Sequence, residues 1–280
     1  MNVTLGIDIG GSMTKIVGFS PTGDLLGELQ VKAVDQITSM YGAIGHFSRK
    51  FDIPLNNVKK IILTGVGASF FDEDIYGIST AKVDEFLAIG YGGLYLANKE
   101  EAYIASMGTG TAFVRASKGE IKHIGGSGIG GGTLLGLSSI MLNKNDINAI
   151  LHLAKNGKAE NIDLLVKDIL NYEDYELPSL PSNLTAANFG NIKSTASGAD
   201  YAVGIINMII QTVGMLAAFA CKNDTLRDFI MTGALTTLPN AQETFNAIGS
   251  MHNVNFIIPR GAVYATAIGA AVSHIKKYSL

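Results

Sequence analysis

The sequence predicts an α/β fold built from two similar halves, and three observations support this. Two regions each contain three short strand patterns in succession, and in both a turn rich in glycine and hydroxyl residues joins the first two strands. Helical patterns alternate with single strands after each region. With 280 residues, 47% hydrophobic and 16% charged, the chain can form one large domain or two of ordinary size.

Each half has its own order of predicted elements. The first half contains strands over 3–9, 15–19 and 26–32, a helix over 35–51, strands over 58–64 and 78–83, and a helix over 84–97. The second half contains strands over 103–106, 112–116 and 121–124, a helical midsection over 132–172, a loop over 177–191, a long helix over 200–221, strands over 228–232 and 254–258, and a last helix over 261–278.

We expect a first domain over 1–104, with the C-terminal helix at 261–280 packed on it, and a second domain over 105–260. Two such halves that face each other across a cleft form the duplicated actin-like ATPase fold, which is ribonuclease H-like. In that arrangement both glycine-rich turns converge on one nucleotide between the domains.

Composition argues against several classes of protein. The net charge is −3 and no lysine or arginine cluster dominates, so nucleic acid is not the expected partner. The single cysteine, Cys221, excludes an intrachain disulfide and fits a cytoplasmic location, and the N-terminal residues do not have the pattern of a signal peptide. Residues 203–221 are nearly long and apolar enough to span a bilayer, but Asn207, Gln211 and Thr212 favour a buried helix and no membrane span.

The first turn has the composition of a phosphate-binding turn. The first predicted strand contains Asp8 just before a glycine pair. Two hydroxyl residues and a lysine follow this pair. Glycines leave backbone N–H groups accessible to a polyphosphate, and a carboxylate at a strand end can hold Mg²⁺ directly or through water. A plain hairpin is the alternative interpretation, and both can be true.

Two further segments are rich in glycine. Gly108-Thr109-Gly110-Thr111 repeats the properties of the first turn. Residues 125–133 contain six glycines ahead of a predicted helix, where exposed N–H groups and the positive end of the helix dipole favour an anion or a ribose. A hairpin turn and a flexible linker are the alternatives, and the glycines can also act as a hinge.

Phosphoryl transfer needs a group that deprotonates the acceptor hydroxyl. Glu85 and Asp84 follow a predicted strand and open a helix, although carboxylates there often only stabilise the first helical turn. Gly233 and Ala234 follow another strand, in a turn that either packs against an adenine ring or is an ordinary connection. The five histidines do not have metal-ligand spacing, so we expect no structural metal.

Together these segments resemble the type II pantothenate kinases of the actin-like kinase superfamily. The resemblance covers nearly the whole chain and rests on residues 6–12, 83–86, 108–111, 125–133 and 184–190, the last of which contains Thr185, Asn188 and Phe189. It implies phosphorylation of the primary hydroxyl of pantothenate with ATP and Mg²⁺, the first step toward coenzyme A. It also implies a homodimer with the helix 200–221 at its centre.

The resemblance assigns roles to individual residues. Glu85 is the expected general base, Asp8 holds Mg²⁺ that accompanies the nucleotide, and the substrate contacts are Glu85, Thr109 and His123. The motifs and the resemblance together predict the following nucleotide contacts: Asp8, Gly10, Gly11, Ser12, Met13, Thr14, Lys15, Thr109, Gly110, Thr111, Gly131, Gly132, Thr133, Leu134, Leu135, Gly233 and Ala234.

Two positions depart from the family pattern. The family usually has an arginine just before the glycine tract, where this chain has His123, and a serine after the second turn, where it has Ala112. Histidine is shorter and is not a fixed bidentate cation, so a substrate carboxylate is held less firmly. Pantetheine or another small alcohol is therefore an alternative acceptor. An N-acetylhexosamine kinase and a non-enzymatic, nucleotide-dependent switch protein are the other hypotheses.

Overall fold

Two five-stranded sheets dominate the structure, a computed structural model that describes residues 2–33, 35–117, 119–169 and 184–275. In chain order the strands are β1 (Val3–Ile9), β2 (Met13–Phe19), β3 (Leu25–Lys32), β4 (Val58–Thr64), β5 (Thr80–Lys82), β6 (Glu101–Met107), β7 (Thr111–Ser117), β8 (Glu120–Ser127), β9 (Leu164–Leu165), β10 (Thr185–Ala187), β11 (Asp228–Thr232) and β12 (Asn255–Ile257). The helices are α1 (Gln36–Lys50), α2 (Glu85–Ala97), α3 (Gly131–Leu142), α4 (Ile147–Ala154), α5 (Val166–Ile169), α6 (Gly198–Ala220), α7 (Ala241–His252) and α8 (Ala265–Val272).

The two sheets share one topology. Their strand orders are β3-β2-β1-β4-β5 and β8-β7-β6-β11-β12. In each sheet the first three strands along the chain are antiparallel neighbours, and the other two run parallel to the first. The predicted duplicated α/β fold is confirmed. Because parallel strands end at the same edge, each sheet gathers the residues that follow three of its strands at one edge.

Helices α2 and α8 lie between the sheets. Helix α8 packs on β1 and α2 packs on β6, β7 and β8, while the two helices pack on each other. The crossing of the two helices is close because it occurs at glycines: a Cβ atom at Gly92 of α2 would overlap the carbonyl group of Ala265, and one at Gly269 of α8 would overlap that of Ala88. The domain limits at 1–104 and 105–260 stay predictions.

Other helices cover the outer faces of the sheets. Helix α1 packs on the first sheet, and its N-cap Asp35 accepts a hydrogen bond from the Thr38 N–H at 2.7 Å. Helix α6 is the core of the second half, where it packs with α3, α4 and α7. Within the described residues it is the one helix whose length and composition would allow it to cross a membrane, and 56% of its apolar window is buried inside the protein.

Some element predictions were wrong in the second half. The predicted helical midsection contains α3, which Asn143 ends in the left-handed conformation (φ 52°), α4 and α5, but also the strand β9, and its residues 170–172 lie outside the described residues. Helix α7 was not predicted at all. The predicted loop over 177–191 includes β10, and its residues 177–183 lie outside the described residues. The last helix begins at Ala265 because a 3-10 turn, Ala262–Tyr264, precedes it, and residues 276–278 of the prediction lie outside the described residues.

Candidate active site

Asp8 lies at the carboxyl edge of the first sheet, close to the end of β1. It is 7% exposed and stands opposite Lys15 in β2 and Thr64 in β4. The Lys15 Nζ atom lies 3.3 Å from the Asp8 Oδ2 atom. Gly65 follows β4 with a φ of +85°, and a Cβ atom there would lie 2.6 Å from Asp8 Oδ1. Any other residue at position 65 would place its side chain against the Asp8 carboxylate, and the positive φ also favours glycine there.

The first glycine-rich turn is a hairpin turn between β1 and β2, which was the alternative interpretation of this segment and is compatible with phosphate binding. The Gly10 N–H donates to the Met13 carbonyl oxygen at 3.1 Å, and Gly11 and Ser12 are exposed. A Cβ atom at Gly11 would meet nothing within 4 Å, so this turn is open to a ligand. Thr14 is fully buried, and its hydroxyl lacks a hydrogen-bond partner among the described residues.

Glu85 opens α2 at the same edge. The preceding residue, Asp84, caps the helix and accepts hydrogen bonds from the N–H groups of Phe86 (2.9 Å) and Leu87 (3.2 Å). Burial raises the pKa of Glu85, and the negative charges of Asp8 and Asp84 raise it further, while Lys15 acts in the opposite sense. The structure therefore brings Glu85 within electrostatic range of Asp8 and Lys15, and a raised pKa suits a carboxylate that accepts a proton near neutral pH.

His123, in β8 of the second sheet, lies beside the first turn of α2. Its ring stacks on Phe86, with the ring centroids 4.0 Å apart and the planes at 21°. Phe86 directly follows Glu85, so His123 and the carboxylate belong to one neighbourhood. Phe86 and Gly65 are not among the site residues that the sequence predicts. The glycine directly after an apolar strand was the available signal for Gly65, whereas no local pattern signals the contact of Phe86 with β8.

The second turn and the glycine tract form one unit. The N–H groups of Gly131 and Gly132 donate to the carbonyl oxygens of Gly108 and Thr109, both at 2.8 Å. The Thr111 hydroxyl donates to the Ile129 carbonyl oxygen at 2.8 Å. These bonds hold the N-terminus of α3, the positive end of its helix dipole, against the turn, and they occupy the N–H groups of Gly131 and Gly132.

Other predicted nucleotide residues surround this unit. Thr133 donates from its hydroxyl to the Gly128 carbonyl oxygen at 2.9 Å, and Leu134 is fully buried while Leu135 is partly so. Gly233 has a φ of +92°, and a Cβ atom there would overlap Met107, the residue before the second turn. Ala234 follows it at the start of a 3-10 turn, Ala234–Thr237. The structure thus gathers the 108–111, 131–135 and 233–234 segments at one edge of the second sheet.

Residues 185–190 are placed differently. The Gln211 side chain donates to the Thr185 hydroxyl at 3.0 Å and accepts from Asn188 at 3.1 Å, and the Phe189 N–H donates to Asp163 at 2.9 Å. Burial raises the pKa of Asp163, and hydrogen bonds from the Phe189 N–H and from the Asn207 and Asn188 side chains counteract this rise. The described contacts therefore tie this segment to α6.

Asp8 fits a magnesium ion that arrives with a nucleotide. Within the described ranges, no three His, Cys, Asp or Glu side chains are grouped so as to hold a metal by themselves. Magnesium needs only one or two carboxylates when phosphate oxygens and water supply its other ligands. Asp8 provides one carboxylate at an edge where residue 65 has no Cβ atom to fill the space beside Oδ1.

Comparisons with known proteins agree with this arrangement. The family model described as Fumble matches residues 102–270, which is more than half of the chain. A type II pantothenate kinase of Staphylococcus haemolyticus is 31% identical over 234 residues, which cover 79% of this chain and 82% of that protein. The chain belongs to the type II pantothenate kinase family. A second such kinase, from Bacillus cereus, is 28% identical over 89% of both chains.

A solved structure supports the fold of this type II pantothenate kinase family member. The activator of the 2-hydroxyisocaproyl-CoA dehydratase from Clostridium difficile, solved with bound ADPNP, aligns with a TM-score of 0.67 at 16% identity and covers 99% of this chain and 95% of that one. At this identity the likeness concerns the actin-like fold alone. The family membership, in contrast, identifies the chain as a kinase.

Proposed function

We propose that the chain transfers the γ-phosphoryl group of ATP to the primary hydroxyl of pantothenate, which forms 4'-phosphopantothenate in the first step toward coenzyme A. Membership of the type II pantothenate kinase family supports this assignment. The observation that carries it is the position of Glu85, at the strand edge that holds Asp8 and with a pKa raised by burial. Such a carboxylate suits a general base in phosphoryl transfer.

The chemistry divides between the two glycine-rich turns and Glu85. We expect Asp8, Lys15 and the N–H groups of residues 10–15 to face the phosphates from one side. Residues 108–111 and the N-terminus of α3 face them from the other. Mg²⁺ bound with ATP would neutralise phosphate charge beside Asp8. Fixed dipoles in a site that excludes water stabilise charge on the transferred group better than water does.

Glu85 accepts the proton of the acceptor hydroxyl. As the acceptor oxygen forms its bond to the γ-phosphorus, the bond from that phosphorus to the bridging oxygen breaks and ADP leaves. The hydroxyl proton passes to the Glu85 carboxylate. Thr109 and His123 are the other proposed substrate contacts, and Gly131, Gly132, Thr133, Leu134, Leu135, Gly233 and Ala234 the proposed contacts to the rest of the nucleotide.

The proposal includes a cytoplasmic homodimer that neither binds nucleic acid nor enters a membrane. Helix α6 supports this, since its buried side packs within the second half while Leu216 and Phe219 are 36% and 58% exposed. A second copy that covers these side chains would remove apolar surface from water without a bilayer.

His123 supports a second candidate acceptor. Where the family has arginine, a histidine provides no fixed cation for a carboxylate, so a neutral alcohol such as pantetheine remains a candidate. A switch protein of the dehydratase-activator kind is less well supported. The one cysteine of the sequence, Cys221, is buried, and an iron–sulfur cluster needs several accessible thiolates.

ATP consumption with a panel of acceptors tests the proposed function. The panel contains pantothenate, pantetheine, glucose and N-acetylglucosamine, each with Mg²⁺ and with a no-acceptor control. We expect pantothenate to stimulate ADP release most, with pantetheine next. Stimulation by a hexose alone would eliminate the assignment, and acceptor-independent hydrolysis alone would favour the switch protein.

A further inference from the structure

The contact between α2 and β8 joins the two halves beside Glu85 at two points. Phe86 stacks on His123 with a centroid distance of 4.0 Å. One helical turn further on, a Cβ atom at Gly90 would lie 2.7 Å from the Ile121 Cγ2 atom. Residues 121 and 123 lie on one face of β8, and residues 86 and 90 lie on one face of α2. The helix that begins with Glu85 therefore lies along this strand.

Phe86 is held through its backbone as well as its ring. Its N–H donates to the Asp84 carboxylate at 2.9 Å, and its side chain joins the apolar cluster that contains Ile89 and Val114. The side chain of the preceding residue, Glu85, is therefore oriented by this helical turn. Within the described ring pairs, His123 is the one aromatic ring that contacts Phe86 in this turn.

His123 is also followed by an irregularity in its own strand. Val114 pairs with His123, but the next pair is Phe113 with Gly125, so Ile124 is an extra residue in β8. A bulge of this kind twists the strand and redirects the side chains next to it. Beyond it the chain continues into the glycine tract, whose Gly131 and Gly132 are hydrogen-bonded to the second turn. His123 thus stands between the segment proposed to bind phosphates and the proposed base.

We propose that His123 is a positioning residue for Glu85, and that it acts through its ring on Phe86 rather than as a cation for the acceptor. This role rests on the proposed function of Glu85 as the base. The stack fixes the first turn of α2 and hence the direction of the Glu85 carboxylate. A small misplacement of a catalytic group lowers turnover more than it lowers binding of the nucleotide.

Four variants separate ring stacking from charge. His123→Phe keeps an aromatic ring on Phe86 without a titratable nitrogen, whereas His123→Ala and Phe86→Leu remove the stack. Lys122→Ala is the matched control, because Lys122 neighbours His123 but pairs with Arg115 and points to the opposite face of the sheet. Steady-state kinetics with ATP and pantothenate give kcat and both KM values for each variant.

We expect His123→Ala and Phe86→Leu each to lower kcat roughly three- to tenfold, with little change in the KM for ATP. The double variant should be no worse than the poorer single one, since both remove the same contact. His123→Phe should recover at least half of the kcat that His123→Ala loses, and Lys122→Ala should match the parent chain. Equal losses in His123→Phe and His123→Ala, multiplicative losses in the double variant, or an unchanged kcat in His123→Ala would overturn the proposal.

Hydrogen exchange provides a readout that does not depend on the acceptor. Amides of residues 86–90 should exchange about three- to tenfold faster in His123→Ala, and at nearly the parent rate in His123→Phe and Lys122→Ala. Equal exchange in His123→Ala and the parent chain would contradict the positioning role. If the parent chain phosphorylates no acceptor of the panel, the proposed function fails, while the exchange rates still decide whether His123 orders this turn.

Discussion

Gly130 lies against Thr109 so closely that a Cβ atom on Gly130 would stand 2.5 Å from the Thr109 carbonyl oxygen. The same glycine donates its N–H to the Thr133 hydroxyl at 3.2 Å, as the N-cap of α3. The absence of a side chain at position 130 is therefore what allows the second turn and the helix N-terminus to form one surface. This surface is proposed to bind the phosphates.

Gly130→Ala tests whether that surface binds the nucleotide. The added methyl group must push the turn away from α3, so we expect the Kd of an ATP analogue to rise about tenfold, measured by calorimetry. Gly136→Ala is the control, since a Cβ atom there would meet nothing within 4 Å and alanine favours a helix. Equal affinities in the two variants, with both folded by circular dichroism, would remove the turn from the nucleotide site.

Glu85→Gln tests the general base. Glutamine keeps the shape and a hydrogen bond but cannot take the proton, so we expect kcat to fall roughly 100-fold or more. The Kd for the ATP analogue should stay within about twofold of that of the parent chain, because Glu85 is proposed to act on the acceptor. If turnover is unchanged in Glu85→Gln, the base is another group.

The pH dependence of kcat/KM follows from the environment of Glu85. Only the ionised carboxylate can accept a proton, so activity is lost as the pH falls through the pKa of Glu85. Because burial, Asp8 and Asp84 raise that pKa above its ordinary value, the acid limb of the profile should lie at a higher pH than an exposed glutamate would give.

Asp84→Asn checks the cause of this shift. Asparagine caps a helix as well as aspartate does but removes one of the neighbouring negative charges. The acid limb should move to lower pH while α2 remains intact by circular dichroism. A limb that stays in place, or moves to higher pH, would show that the profile reports a group other than Glu85.

His123→Arg tests the acceptor contact. A guanidinium group adds a fixed cation and can still stack on Phe86, so the KM for pantothenate should fall roughly tenfold. The KM for pantetheine, which has no carboxylate, should change little and serves as the control. A rise in the KM for pantothenate, or equal changes for both acceptors, would place the substrate carboxylate away from residue 123.

The fold was predictable because its signals are local. Period-two strands and glycine turns occur in the same order in both halves, and the parallel strands then follow helices, which leads to the observed pair of sheets. Helix α7 was missed because its buried residues, chiefly Phe245 and Ile248, stand among polar ones and form a narrow stripe. The β9–β10 pairing was missed because it joins two short segments that are distant in the chain.

The candidate site also contains residues that local sequence signals predict and contacts that depend on packing between distant segments. Asp8, Glu85 and residues 108–111 could be proposed as site residues from the sequence because each follows or ends a strand and has the residue type that phosphate chemistry needs. The contact of Phe86 with His123 could not, since it depends on how α2 packs on β8. The room that Gly65 leaves for Asp8 likewise depends on two strands being neighbours.

A crystal structure with a non-hydrolysable ATP analogue, Mg²⁺ and pantothenate would show whether both turns bind one nucleotide beside Glu85. We expect the triphosphate to lie between the 10–15 and 108–111 turns, with the acceptor hydroxyl about 3 Å from a Glu85 oxygen. A nucleotide that contacts only one of these turns, or an acceptor hydroxyl that lies nearest to a different side chain, would contradict it.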